Sequence, residues 1–346
     1  MTASLPSAAR RAPRAALSAA IDRRERRLRL VSGGDVEFDH LVVASGARNR
    51  PLAVPGAELD GVLGLRGLDD ADALRQRLDS ANAVVVVGAG FIGLEFASVA
   101  IAAGVPVHIV ELTRHPMGRV VSAPVSAFYA EAHRRWGAAL SLGTGIARIL
   151  GENGRVAGVE ASDGKRLAAD LVLVCIGVVP NVELAAGAGL AVANGIVVGA
   201  ELATLDPAIS AIGDCANFPT RFATERVRLE SVQNAVDQGR SVAARIAGKP
   251  ARYDKVPWFW SDQRDLKLQI AGLVAGHDQA VLRGDPASES FSVFCFRGGR
   301  LIGVESVNRP ADHIAARRIL EREPNLSPAE AADPDCDLRA IATGRR

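Results

Sequence analysis

Three observations predict an α/β protein built from doubly wound, parallel-sheet domains and closed by an α+β domain at its C-terminus. Four valines, Val84–Val87, run into Gly88-Ala-Gly-Phe-Ile-Gly93 and then a helical stretch. A succession of strand, turn, strand, Asp and an apolar strand ending in glycine occurs twice, at residues 27–46 and 155–177. Beyond residue 256, alternating apolar runs at 266–273, 280–283, 291–296 and 301–307 precede a helical pattern at 311–323. That last order reads as an antiparallel sheet with a covering helix.

The valine run carries the most specific chemistry. Four consecutive β-branched residues suit a parallel strand buried on both faces. Gly88 allows the tight turn, Gly90 lets a pyrophosphate approach the backbone, and Gly93 lets helix and strand pack closely. The helix start then offers free N–H groups and a positive dipole end to the phosphates. A second apolar strand, 105–110, ends at Glu111, at the spacing of about 20 residues where a carboxylate accepts from a ribose 2′-OH. A carboxylate there repels a 2′-phosphate, which favours NAD over NADP, although Arg114 would accept that phosphate if it pointed inward. The segment predicts a Rossmann-like, NAD-binding domain.

At 346 residues the chain suits two or three domains. Hydrophobic residues make up 48% and charged residues 23%, with a net charge of +2. Those values fit a soluble globular protein. They give no argument for nucleic acid, and no apolar stretch reaches the roughly 20 residues that span a bilayer. Residues 1–30 show no secretory signal, and the cytoplasm is the expected compartment. The cysteines, Cys175, Cys215, Cys295 and Cys336, form no C-x-x-C pair and read as inert thiols. The histidines make no ligand spacing, so no metal site is expected.

The repeated succession predicts two related nucleotide-binding domains, each closed by a β-meander. Only the second has room for a complete βαβ unit ahead of its meander. Ahead of Arg27 there are fewer than the roughly 30 residues such a unit needs, and they are rich in Ala, Arg and Ser without a glycine fingerprint. The first domain is therefore expected to be incomplete, through a truncated gene or a late start codon; the composition would also suit an organellar transit peptide.

Six segments stand out: Leu41-Val-Val-Ala-Ser-Gly-Ala-Arg48, the Gly88 fingerprint, Gly177-Val-Val-Pro-Asn181, Ala211-Ile-Gly-Asp-Cys-Ala216, Leu229-Glu-Ser-Val-Gln-Asn234 and Pro257-Trp-Phe-Trp-Ser-Asp-Gln263. In combination they resemble the FAD- and NAD-dependent ferredoxin reductases of the putidaredoxin reductase and rhodocoxin reductase type. The resemblance implies two Rossmann-like nucleotide-binding domains, the first incomplete, plus an α+β C-terminal interface domain. Residues 1–80 and 201–255 would form the partial FAD-binding domain, 81–200 the NAD-binding domain and 256–346 the C-terminal reductase domain.

By the same resemblance, Gly213 and Asp214 hold the flavin ribityl chain and Arg48 touches FAD, although an exposed loop arginine is an alternative. Residues 231–245 read as a helix with apolar Val232, Ala235, Val236, Val242 and Ile246 near helical spacing. The resemblance points its start, at Val232, at the flavin pyrimidine edge, where a positive dipole end favours the anionic reduced flavin. Gly177 matches a cofactor-contacting glycine. Glu95 resembles a carboxylate facing the nicotinamide, though a first-turn helix glutamate would also suit the position. Trp258 and Trp260, read as part of a short turn-like segment, would pack over the isoalloxazine; tryptophans at a domain junction can equally be core.

The implied reaction is hydride transfer from NADH to flavin, followed by single-electron steps to a 2Fe-2S ferredoxin that supplies a P450 or a ring-hydroxylating oxygenase. Arg240, Arg245 and Arg309 are candidates for a basic face toward an acidic ferredoxin. A disulfide reductase is the nearest competitor. Its acid–base partner is an H-x-x-x-x-E, whereas His277 here is followed five on by Leu282 and His313 by Arg318. The reading from a different class is a truncated, non-catalytic NAD-binding remnant that cannot retain FAD.

Overall fold

The structure, a computed structural model, describes residues 18–249, 252–322 and 326–344. The chain divides into two compact units, residues 48–179 with 255–346, and residues 1–47 with 180–254.

The larger unit contains β1 (Val62–Gly64), α1 (Leu68–Leu78), β2 (Val84–Val87), α2 (Phe91–Ala102), β3 (Val107–Glu111), α3 (Ala123–Arg135) and β4 (Ala139–Leu142). An antiparallel meander follows, β5 (Ile146–Glu152), β6 (Arg155–Ala161) and β7 (Arg166–Ala168), and then β8 (Leu171–Val174). Strands β1, β8, β2, β3 and β4 form, in that order, one parallel sheet. The valines of β2 are at most 5% exposed, as expected of a central parallel strand covered on both faces. The strand order reverses between β8 and β2, and a doubly wound sheet binds its ligand in the crevice at that point.

The C-terminal part contains β9 (Trp258–Gln263), β10 (Leu266–Gly272), β11 (Gln279–Asp285), β12 (Ser290–Arg297), β13 (Arg300–Val307) and α4 (Pro310–Glu321). These strands form an antiparallel sheet in the order β9, β10, β13, β12, β11. The expected helical end at Glu323 lies outside the described residues. The segment 258–263, expected to be turn-like, is instead an edge strand paired with β10 from Trp258↔Ala271 to Gln263↔Leu266. Three aromatics at its start favour a pleated, half-buried surface. The polar Ser261, Asp262 and Gln263 are what made it read as a loop. Side chains alternate between faces. Phe259 therefore meets Phe91 of α2 with ring centroids 5.7 Å apart, while Trp258 and Trp260 occupy the opposite face.

The acid- and proline-rich tail also folds. Helices Pro328–Ala332 and Leu338–Thr343 follow α4. The almost fully buried guanidinium of Arg283 donates to the carbonyls of Ala331, Asp333, Pro334 and Cys336. One arginine thus satisfies carbonyls that a short tail could not satisfy by itself.

In the smaller unit, Ser18–Asp22, Arg27–Leu30 and Asp35–Glu37 form an antiparallel meander. Leu41–Val43 then pairs in parallel with Ile209–Ala211. This is the same succession as β5 to β8 in the other unit, and both closing strands lead to a glycine with positive φ, Gly46 at 65° and Gly177 at 94°.

Helix Val232–Ile246 is capped by Ser231 Oγ, which accepts from Asn234 N at 3.1 Å. Its buried face differs from the expected apolar stripe: Val232 is 66% exposed and Ile246 52%, whereas Asn234, Gln238 and Val242 are buried. Local partners make the polar face possible. Asn234 donates to Leu229 O and accepts from Tyr253 OH, and Gln238 Oε1 accepts from Gly213 N at 2.7 Å.

Candidate active site: a dinucleotide loop backed by a tryptophan strand

In the larger unit, β2 delivers the chain into the loop Gly88–Gly93 and α2 starts at once. Gly88 has φ 102°, and a Cβ on it would sit 2.4 Å from Cys175 O at the end of β8. Gly93 is tighter still: its Cβ would lie 2.1 Å from Gly88 O. Gly90, the N-cap, has no atom within 4 Å of where its Cβ would stand, so its face is open. The first intrahelical bond is Leu94 N to Gly90 O. The N–H groups of the first turn therefore remain for an anion, and no acidic side chain lies in that turn. These residues fit a dinucleotide pyrophosphate.

Glu111 ends β3 beside this loop. Its Oε2 accepts from Ala89 N at 2.7 Å, and its Oε1 accepts from Thr113 N at 2.8 Å and Thr113 Oγ1 at 2.9 Å. The carboxylate is held rigidly and retains lone pairs for a ribose hydroxyl. Arg114 is exposed. Gly177 lies three residues beyond β8, on the other side of the switch point from Glu111.

Glu95 lies beyond the first turn of α2, so the first-turn alternative does not hold. Its Oε1 accepts a short hydrogen bond, 2.6 Å, from Ser261 Oγ on β9. Burial raises its carboxyl above the usual range, with the Ser261 hydroxyl opposing that shift. On the outer face of β9, Trp258 and Trp260 lie 5.5 Å apart between centroids, and the Arg317 guanidinium sits 4.6 Å over Trp258. His313 meets Trp258 edge-on and is pushed down to about 4 by burial, so it is neutral. Burial pushes the Cys175 thiol up to about 12, which leaves it protonated and unreactive. Arg48 is exposed on the short strand Ala47–Asn49. Loop glycines, Glu111 and Gly177 thus follow or close neighbouring strands at one edge of the parallel sheet, and Glu95 joins the tryptophan strand through Ser261.

In the smaller unit, Gly213 adopts φ 74° and opens a turn of 3-10 helix, Gly213–Cys215, that presents half-buried Asp214. Gln238 ties that turn to the helix beginning at Val232. The Nε2 of Gln238 is buried without a hydrogen-bond partner among the described residues. A left-handed turn, a carboxylate and a helix N-terminus within one cluster fit the ribityl and pyrimidine parts of a flavin. The chain holds a single G-x-G-x-x-G, the Gly88–Gly93 loop of the larger unit.

Two of the basic candidates are engaged by the fold. Arg245 donates to Ser210 Oγ and lies 2.9 Å from His40 Nε2. Arg309 is ion-paired with Asp312 at 3.1 Å and half-buried. Arg240 alone of the three is well exposed, 76%, with a loose contact of 3.6 Å to Asp237. Sequence reading missed Ser261 and His133 as partners of the site; the strict alternation of Phe259, Ser261 and Gln263 was the available signal.

A parallel sheet with a glycine loop at its switch point, an acidic residue closing the next strand and a second nucleotide-type turn define a nicotinamide-nucleotide-dependent flavoprotein oxidoreductase. The model of the pyridine nucleotide-disulphide oxidoreductase family matches residues 14–239, and that of the reductase C-terminal domain matches residues 258–342. Rhodocoxin reductase of Rhodococcus erythropolis is 52% identical over 323 residues, covering 93% of this chain and 76% of that protein. The crystal structure of the ferredoxin reductase for the CYP199A2 system of Rhodopseudomonas palustris matches with a TM-score of 0.93 at 52% identity, over 94% of this chain and 81% of that one. The covalent putidaredoxin reductase–putidaredoxin complex matches with a TM-score of 0.91 at 38% identity, over 95% and 80%. The chain belongs to the pyridine nucleotide-disulphide oxidoreductase family, in its ferredoxin reductase branch, whose cofactors are FAD and NAD(H). No helix among the described residues is long and apolar enough to cross a membrane.

Proposed function

We propose that the chain carries electrons from NADH to a 2Fe-2S ferredoxin that serves a P450 or a ring-hydroxylating oxygenase, in the cytoplasm. The observation that carries this reading is the Gly88–Gly93 loop with Glu111 held beside it. The similarity to rhodocoxin reductase, and to a reductase solved together with putidaredoxin, supports the choice of acceptor. Free thiols at Cys175, Cys215, Cys295 and Cys336, of which Cys215 and Cys295 are buried, suit a reducing compartment.

FAD, when bound, accepts a hydride from NADH and releases electrons one at a time. The residues supply position and field. Gly88, Gly90 and Gly93 shape the loop for the NADH pyrophosphate, the α2 N-terminus favours its charge, and Glu111 takes the adenosine ribose. Glu95, half-buried on α2, would receive the carboxamide N–H of the nicotinamide, and Gly177 would contact the same cofactor. In the smaller unit, Gly213, Asp214 and the helix start at Val232 would hold the flavin. In the larger unit, Trp258 and Trp260 form an aromatic pair on β9, and Arg48 is exposed on its short strand. The division into FAD-binding (1–80, 201–255), NAD-binding (81–200) and C-terminal (256–346) parts belongs to the same proposal.

The test is a visible spectrum of the full chain after incubation with excess FAD. Retained flavin absorption that bleaches on adding NADH supports the reading. No retained flavin, with NADH still bound, supports the NAD-binding remnant. For the acceptor, Arg240→Glu is expected to raise the ferredoxin KM several-fold at low salt, the difference vanishing as salt screens it. An unchanged KM removes Arg240 from the docking face.

A further inference from the structure

Glu95 is the end of a line of hydrogen bonds that crosses three elements of the larger unit. Its Oε1 accepts from Ser261 Oγ at 2.6 Å; Ser261 Oγ accepts from Gln263 Nε2 at 3.1 Å; Gln263 Oε1 lies 2.8 Å from His133 Nε2 on α3. An amide oxygen only accepts, so His133 carries its proton on Nε2. Its Nδ1 is buried with no partner among the described residues. Every donor in the line therefore points toward Glu95.

Ser261, Gln263 and His133 are all fully buried, whereas Glu95 is not. Aromatic rings surround the line: Phe91 with Phe259 at one end, His133 with Trp136 at the other. Buried polar groups are costly unless fully paired, and apolar side chains would fill this contact between α2, α3 and β9 without that cost. The one member with an open side is the carboxylate one turn into the dinucleotide helix. Donors aligned in series polarise one another and favour the charged acceptor at the end.

We propose that Ser261, Gln263 and His133 are positioning residues that hold Glu95 ionised and aimed at the carboxamide of the nicotinamide. The proposal rests on the reading of Glu95 as the nicotinamide-facing carboxylate. Other groups bear on it too: the charge of Asp262 on β9 opposes ionisation while the Asp262 backbone N–H favours it, and the buried Tyr129 hydroxyl lies on α3. Burial, with the Arg264 charge adding to it, pushes the His133 ring below its usual range, while the bond to Gln263 opposes that shift.

The experiment measures NADH affinity of the full chain by fluorescence titration from pH 5 to 8.5. An ionised Glu95 accepts a stronger, charge-assisted bond from the carboxamide than a protonated one does, so affinity falls as pH drops through its titration. Removing the Ser261 donor makes ionisation harder, so Ser261→Ala is expected to move that midpoint upward by about 0.5 to 1 pH unit. Ser261→Thr keeps the hydroxyl and restores the parent midpoint. Gln263→Leu, which leaves the serine unoriented, moves it by less in the same direction and serves if the alanine variant does not fold. Glu95→Gln abolishes the titration. An unmoved midpoint in Ser261→Ala, or a loss of affinity equal at every pH, overturns the positioning role while leaving the assignment of Glu95 intact. If Glu95→Gln titrates like the parent, the assignment of Glu95 itself fails, and the positioning role with it.

Discussion

Gly93→Ala is expected to lower NADH affinity by about 100-fold or more. The added Cβ would sit 2.1 Å from Gly88 O and 3.2 Å from a Val86 methyl group. The first obstacle is backbone, so no rotamer change relieves it, and α2 must move away from β2. Overpacking of this kind costs about 1–3 kcal/mol, occasionally more. The displaced helix also takes its first-turn N–H groups away from the phosphate position, and about 1.4 kcal/mol already corresponds to tenfold in affinity. Gly90→Ala is the informative contrast. Its Cβ would meet nothing within 4 Å, so thermal unfolding should stay unchanged while NADH binding weakens, because the new methyl group stands where the pyrophosphate must approach. NADH titration and thermal unfolding of both variants separate the two effects. Binding by Gly93→Ala within about threefold of the parent would show that the loop is not the dinucleotide site.

The loop was legible because every part of it is local. A buried strand, a turn that only glycine tolerates and a helix start lie within a dozen consecutive residues, and Glu111 follows at a spacing set by the βαβ unit. The strand 258–263 and the helix 232–246 were harder for one shared reason: both bury polar side chains. Ser261 and Gln263 point inward because Glu95 and His133, distant in sequence, wait there. Asn234 and Gln238 are buried because Leu229 O, Tyr253 OH and Gly213 N complete their bonding. A hydrophobic pattern cannot register such partners: Val232, Val236 and Ile246, apolar and near helical spacing, are exposed. The folded tail was hidden in the same way, since its order depends on Arg283, remote in the chain.

Glu305 supplies the second large effect, on stability. It lies on β13 with no exposure. Its Oε1 accepts from Ser122 N, at the N-cap of α3, at 2.9 Å, and Cys295 Sγ lies 3.7 Å from Oε2. Burial pushes its carboxyl up to about 7 even though the Ser122 bonds favour ionisation, whereas the unfolded chain ionises it near 4.5. Between those values the folded chain holds a proton that the unfolded chain has released. The contribution of this group is therefore fully present below pH 4.5 and is lost as pH rises to about 7. A gap of this size corresponds to about 3 kcal/mol. Glu305→Gln keeps an oxygen for Ser122 N and cannot ionise. Urea unfolding of parent and variant at pH 4 and pH 8 should show the parent losing about 3 kcal/mol more than the variant. Groups that titrate alike in both proteins cancel in that difference. A difference constant with pH would mean that Glu305 ionises in the fold as readily as in the unfolded chain, with the Ser122 contact and not burial governing it.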